Sequence, residues 1–316
     1  MLVKVLSTLF VVAVVCEAKR VGKDAPLQDG TLLLGGDCGK AQFIKSAWEP
    51  VVLVDIDLIG YRYSAADSYA GRAYVTGGTT WPSAHFPNAE LQIYDMLTMQ
   101  VTEGEPMLER RAYHTATTFQ NRIVVCGGRG VRSRVLNTCE AYNPYTDMWE
   151  PMNYADLPVG VYGHGAAVLN DVMYLYGGSD LDAGVPWAYS LSSVSWGSWT
   201  SLWPMVHARR AFSSIVYNGH IVACGGEEGG MVVNSCEIFN PASCSWAEYT
   251  PLSHYRSHHG MSNRGSVMAF GGYYEADNLT STLDSMETWY DFSNTSWVSY
   301  YTLAEPCAGF VTININ

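Results

Sequence analysis

Residues Ile123 to Trp149 read IVVCGGRGVRSRVLNTCEAYNPYTDMW, and the fold can be inferred from this stretch. An apolar run, Ile123-Val124-Val125-Cys126, stops at the glycine pair Gly127-Gly128. A polar loop leads to a second apolar run ending in Tyr142, then to a turn at Asn143-Pro144 and to Trp149. Runs rich in β-branched residues and bounded by Gly and Pro read as short strands joined by tight turns. A glycine pair at the end of such a strand suits a backbone that needs positive φ or close approach to a neighbour.

Working outward, the pair recurs as Gly35-Gly36, Gly77-Gly78, Gly127-Gly128, Gly177-Gly178, Gly225-Gly226 and Gly271-Gly272, at spacings of 42, 50, 50, 48 and 46 residues. Each follows a similar run: TLLLGG, AYVTGG, IVVCGG, MYLYGG, IVACGG and VMAFGG. Downstream, an aromatic residue precedes Trp by seven positions in Tyr142/Trp149, Tyr189/Trp196, Phe239/Trp246 and Tyr290/Trp297. The second repeat keeps Tyr94 but has Val101 in the Trp place. Two marks held in phase resemble the kelch repeat, whose period is about 50 residues. The resemblance covers roughly residues 28–316.

It implies an all-β fold, a six-bladed kelch β-propeller with four antiparallel strands per blade and the first strand of each repeat innermost. First strands are expected at HTATTFQ (from His114), HGAAVLN (from His164), FSSIVYN (from Phe212) and HGMSNRG (from His259). The first repeat lacks such a strand, whereas CAGFVTININ (from Cys307) is a first strand with no second strand after it. The C-terminal strand is therefore expected to close the first blade, so that the ring has no open edge. The poorest matches are residues 40–62 and the polar first strand carrying Asn263 and Arg264.

Met1–Ala18 carries Lys4, an apolar core from Leu9 to Val15 and a small residue, Ala18, before Lys19, the pattern of a secretory signal peptide. The expected organisation is a signal peptide over 1–18, a short segment over 19–27 and the propeller over 28–316. A secreted, extracellular protein without membrane insertion is expected, because the leader core is too short to span a bilayer and no later segment reaches 18 apolar residues. The formal net charge is −12, with 15% charged residues. A nucleic-acid partner and a polybasic membrane patch are excluded on that balance.

Seven of the eight cysteines lie beyond the leader. Cys126 and Cys139, and Cys224 and Cys236, occupy matching contexts at the end of a second strand and the start of a third, so each pair is expected as a disulfide within one blade. In the closed first blade Cys38 and Cys307 become neighbours and are expected to pair. Cys244 is left over, either free or pairing with another molecule. Asn278-Leu-Thr and Asn294-Thr-Ser are acceptor sequences for N-glycosylation, at Asn278 and Asn294.

Signals for chemistry are sparse. No C-x-x-C spacing, nucleophile elbow or phosphate loop occurs, and His114, His164 and His259 recur at one place in the repeat, as packing residues do. No catalytic residue, metal or cofactor is expected. In kelch proteins that bind peptides, contacts come from the residue after each glycine pair and from the start of each innermost strand. The resemblance thus implies a channel-mouth site made of Asp37, Thr79, Arg129, Ser179, Glu227 and Tyr273, with Arg111, Arg210, Arg256 and Ser257. A blade-to-blade hydrogen-bonding role is the alternative for the arginines. The expected function is a non-catalytic interaction module for an extracellular protein or glycan. The alternatives are a mutarotase-like enzyme, with Arg129 or Arg210 beside Glu227 or Glu228, and a matrix component crosslinked through Cys244.

Overall fold

The apolar run before each glycine pair is the second strand of an antiparallel sheet. The computed structural model describes residues 20–21, 30–34, 36, 41–45, 52–54, 56, 61–80, 86–152, 156–180, 190–193, 198–276, 279–289 and 296–315. The regular sheets number six, and we label them in chain order. Sheet 2 holds Ala65–Tyr69, Arg72–Thr76, Leu91–Asp95 and Val101–Gly104; sheet 3 holds Thr115–Phe119, Arg122–Cys126, Cys139–Asn143 and Met148–Pro151. Sheet 4 holds Gly165–Leu169, Val172–Tyr176, Ser190–Ser193 and Thr200–Ser201; sheet 5 holds Ser213–Tyr217, His220–Cys224, Cys236–Asn240 and Ser245–Tyr249. Sheet 6 holds Gly260–Asn263, Val267–Phe270, Ser285–Trp289 and Val298–Thr302.

Five blades, not six, therefore have the expected four antiparallel strands. Sheet 1 has five strands, in the order Arg20–Val21, Val52–Val54, Ala41–Ile44, Gly30–Leu34, Val311–Ile315. Its extra strand runs parallel to Val52–Val54, pairing Arg20 with Leu53 and Val21 with Val54, and covers an edge that a four-stranded meander leaves open. The segment 19–27 thus contributes to a sheet, and residues 40–62 supply two of its strands. The first and last parts of the chain meet here, with Leu32 opposite Ile313 in an antiparallel pair. Two short hairpins, Glu227–Glu228 with Met231–Val232 and Tyr273–Ala276 with Leu279–Thr282, project beyond sheets 5 and 6. Among the described residues there is no α-helix, only a 3-10 turn at Val131–Ser133.

Apolar residues lie between neighbouring sheets. Val124, Cys126 and Ala141 of sheet 3 pack on Met173 and Leu175 of sheet 4, and Val222 and Cys224 of sheet 5 pack on Ala269 and Trp289 of sheet 6. The aromatic–Trp marks are cross-strand pairs: Tyr142 lies opposite Trp149 and Phe239 opposite Trp246, with ring centroids 5.2 Å apart in both. In sheet 6 the aromatic residue beside Trp297 is Trp289, with centroids 6.5 Å apart and planes tilted by 34°. Tyr189, Trp196 and Tyr290 lie outside the described residues. The two expected blade disulfides, Cys126–Cys139 and Cys224–Cys236, are present and join directly opposed residues of second and third strands. Cys307 is disulfide-bonded, while Cys38 lies outside the described residues.

The six innermost strands are tied at one end by a closed belt of backbone hydrogen bonds. The amides of Tyr63, Tyr113, Gly163, Ala211, His258 and Gly309 donate respectively to the carbonyls of Gly309, Tyr63, Tyr113, Gly163, Ala211 and His258, at 2.8–3.0 Å. All six residues have φ between 51° and 65°. Just below the belt, the glycine pairs let sheets meet. A Cβ on Gly127 would stand 2.5 Å from the Val161 carbonyl and 2.8 Å from the His164 ring of the next sheet. A Cβ on Gly128 would stand 2.7 Å from the Ala112 carbonyl and 2.8 Å from His114 Cβ in its own sheet. The first glycine therefore clears the neighbouring blade and the second clears the blade's own inner strand.

Candidate ligand-binding site

Immediately before five of the six belt residues, the chain forms an antiparallel bridge to the residue that follows a glycine pair. Arg62 bridges Thr79, Ala112 bridges Arg129, Tyr162 bridges Ser179, Arg210 bridges Glu227 and Ser257 bridges Tyr273. The bridges fix these side chains around the axis above the belt, together with the side chains of Tyr63, Tyr113 and His258, which the belt itself holds.

Tyr63 and Tyr113 stack with centroids 4.0 Å apart and planes 17° apart. The His258 ring stands edge-on to Tyr63 at 5.3 Å and to Tyr273 at 5.5 Å. Three guanidinium groups enter this aromatic floor. Arg129 lies 3.9 Å over the Tyr162 ring and 5.9 Å from the Tyr113 ring, and makes no ion pair among the described residues. Arg62 donates to the Tyr273 hydroxyl. Arg210 donates from Nε to Glu227 Oε2 at 2.9 Å and from Nη1 to the Tyr162 hydroxyl at 2.6 Å. His258 Nδ1 lies 3.9 Å from the other oxygen of Glu227. Burial opposes the Arg210 charge, but Glu227 and Tyr162 outweigh it and hold its pKa above the ordinary value. Burial, reinforced by Tyr63, pushes the Tyr113 hydroxyl well above the usual tyrosine pKa. A cation stacked on a tyrosine without a counter-carboxylate is suited to an anionic group, because the ring stabilises the charge without neutralising it.

Of the ten residues that the sequence places at the mouth, Arg129, Arg210, Glu227 and Tyr273 converge there. Thr79, Ser179 and Ser257 occupy the bridging positions but are buried. Asp37 lies outside the described residues.

Arg111 and Arg256 belong elsewhere, which corrects their assignment to ligand binding. Each is a buried clamp within one blade, and the third clamp is Arg209 rather than Arg210. Arg111, Arg209 and Arg256 reach Glu140, Glu237 and Glu287 at 2.7, 2.8 and 2.6 Å. Each also donates to the carbonyl of the first glycine of its blade's pair, Gly127, Gly225 or Gly271. The glutamates then accept the amides of Leu108, Val206 and Ser253 in the connections between blades. In sheet 1, Gln42 accepts the amides of Ala304 and Glu305 in the same way, and Cys307 stands in the arginine place.

Sequence reasoning missed Arg62, Tyr63, Tyr113, Tyr162 and His258. They share only a place two or three residues ahead of each inner strand, and no single residue type holds that place throughout to mark it. Among the other expected features, Cys244 is free and partly buried, with its thiol donating to the Pro241 carbonyl at 3.4 Å. Glu228 turns away from the mouth toward His207, at 3.1 Å. Asn278 and Asn294 lie outside the described residues.

A family description, KLHDC2/KLHL20/DRC7 Kelch-repeats domain, matches residues 114–308. Kelch-like protein 38 of Mus musculus is 26% identical over 283 residues, which cover 86% of this chain and 47% of that protein. Kelch-like protein 23 of Homo sapiens is 27% identical over 237 residues, covering 72% of this chain and 40% of that protein. The chain thus spans about half the length, or less, of the curated relatives it matches. A solved structure, "Structure of YjhT", is similar with a TM-score of 0.70 at 17% sequence identity, covering 85% of this chain and 90% of that one.

Proposed function

Because the chain belongs to the kelch-repeat family, we propose that it is a secreted, non-catalytic binding module that holds an extracellular protein or glycan at the mouth of its propeller. In this reading the five-stranded sheet fills the sixth blade place, as the six-membered belt suggests. The carrying observation is Arg129, a guanidinium stacked on Tyr162 with no ion pair among the described residues, set among Arg62, Arg210, Tyr63, Tyr113 and Tyr273. Arg and Tyr are the residue types that anchor binding interfaces, and this mouth gathers them on an otherwise acidic chain of net charge −12. The ligand group it fits is anionic. Secretion is supported by the leader-like residues 1–18 and by two disulfides, which persist in oxidising compartments.

The test is capture from extracellular extract by the secreted protein, compared with an Arg129→Ala/Tyr273→Ala variant. Loss of a specific partner supports the mouth as the site. Identical capture by both proteins moves the site elsewhere, and no capture by either defeats the binding-module reading. A sugar-modifying enzyme needs an arginine and a carboxylate both free to face substrate. Here Arg210 and Glu227 hold each other and Glu228 is engaged by His207, so the binding reading is preferred.

A further inference from the structure

The residues that follow the belt are Ser64, His114, His164, Phe212, His259 and Phe310, and all but Ser64 set a ring against the first glycine of the preceding sheet's pair. Phe212 sits against Gly177 as His114 sits against Gly77, His164 against Gly127 and His259 against Gly225. A phenyl ring therefore fills the seat, and shape alone does not call for imidazole. Hydrogen bonding accounts for only part of the choice. His114 and His164 use Nε2 on the hydroxyls of Thr76 and Thr115, at 2.8 and 3.0 Å. Their Nδ1 atoms, and both nitrogens of His259, have no protein hydrogen-bond partner among the described residues. Buried polar groups without partners destabilise a fold, so such groups call for another explanation. All three rings, at least nine-tenths buried, line one cavity of about 140 Å³, whose wall also includes Tyr63, Tyr113 and His258 of the mouth.

We propose that His114, His164 and His259 make the propeller acid-labile at its mouth: they take up protons by leaving their seats between sheets, which opens the belt and releases the ligand. The release step rests on the binding role proposed above; the opening does not. The surroundings favour this. Burial first, and then the Arg111 charge, disfavour protonation of His114 and His164 in place, with His164 also acting on His114. Burial, Arg256 and His258 do the same for His259. The rings also face the Thr76 and Thr115 hydroxyls and, across the cavity, Ser64, Tyr63 and Tyr113, the last held neutral by burial. The seated His164 has its pKa pushed down to about 3, and His114 and His259 are held well below the usual value. Groups with a depressed folded pKa add stability above the unfolded value, about 6.5, and withdraw it as pH falls toward the folded value. Asp67, whose carboxyl is raised by burial, acts in the opposite sense.

The test is amide hydrogen exchange of the belt residues Tyr113, Gly163 and His258 in the whole chain between pH 7 and pH 5, corrected for intrinsic exchange. Each histidine is expected to raise the opening equilibrium about thirtyfold at pH 5. The variant His114→Phe/His164→Phe/His259→Phe, which copies the chain's own solution at Phe212 and Phe310, should stay flat. An unchanged wild-type constant, or the same rise in the variant, overturns the proposal. If the triple variant fails to fold, His259→Phe alone must remove one thirtyfold factor. Opening without loss of captured ligand at pH 5 refutes the release step, whereas absence of capture at pH 7 counts against the binding role and leaves the exchange result to be read by itself.

Discussion

Arg209 and Arg210 are adjacent in sequence and serve two different parts of the molecule. The Arg209 side chain and its partner Glu237 are both 0% exposed, and the guanidinium also grips the Gly225 and Ser235 carbonyls. Arg210 is partly exposed at the mouth, shared between Glu227 and the Tyr162 hydroxyl. The first arrangement is repeated nearly unchanged by Arg111 and Arg256. The second varies from blade to blade: Arg62 holds the same place in sheet 2 but bridges Thr79 instead of a carboxylate, and Ala112, Tyr162 and Ser257 stand there in sheets 3, 4 and 6. Repetition of a polar cluster from blade to blade thus marks scaffold, and its variation marks the surface offered to a ligand.

The sharpest way to break this distinction is to remove a clamp. Arg256→Ala leaves Glu287 buried and uncompensated, and should cost about 3–5 kcal/mol, read as a fall in the denaturant midpoint. Arg111→Ala should be tolerated better at equal burial, because the Cys126–Cys139 bridge holds the strands of sheet 3, whereas Phe270 and Met286 occupy the matching places in sheet 6. Next is that bridge itself: Cys126→Ser with Cys139→Ser should lower stability by about 3 kcal/mol, measured by thermal unfolding without reductant. Gly127→Ala places a side chain against the next blade at φ +62°, and a loss of about 1–3 kcal/mol is expected. The smallest stability effect belongs to the mouth. Arg129→Ala should shift stability by less than about 1 kcal/mol while removing ligand capture. A mouth substitution that unfolds the protein, or a clamp substitution that spares stability and removes capture, would dissolve the contrast.

Much of the scaffold was legible because it is periodic. The six glycine pairs, the Tyr142/Trp149 and Phe239/Trp246 pairs and two disulfides each follow from residues recurring in phase. The site was only half legible. Arg129, Glu227 and Tyr273 were placed at the mouth by counting from the glycine pairs, which holds because each bridges a fixed backbone position, whereas Arg210 came from the strand starts. The arginines were misassigned because RRAY at 110–113 and RRAF at 209–212 look equivalent, while the belt aligns Tyr113 with Ala211 and so Arg111 with Arg209. Tyr63, Tyr162 and His258 were missed because nothing local marks them; they become neighbours only when the ring closes. The fifth strand of sheet 1 was not legible either, since two residues, Arg20 and Val21, carry no periodicity.

The seam in sheet 1 also decides how the ring answers a pull. In the antiparallel pair of Gly30–Leu34 and Val311–Ile315, Gly30 lies opposite Ile315 and Leu34 opposite Val311. Tension applied at Gly30 and Ile315 therefore enters at one end of the pair and loads its hydrogen bonds in succession, as in a zipper, instead of all together in shear. Such a pull is therefore met first by the single bond pair at the outer end of the seam, and by the next only when that has parted.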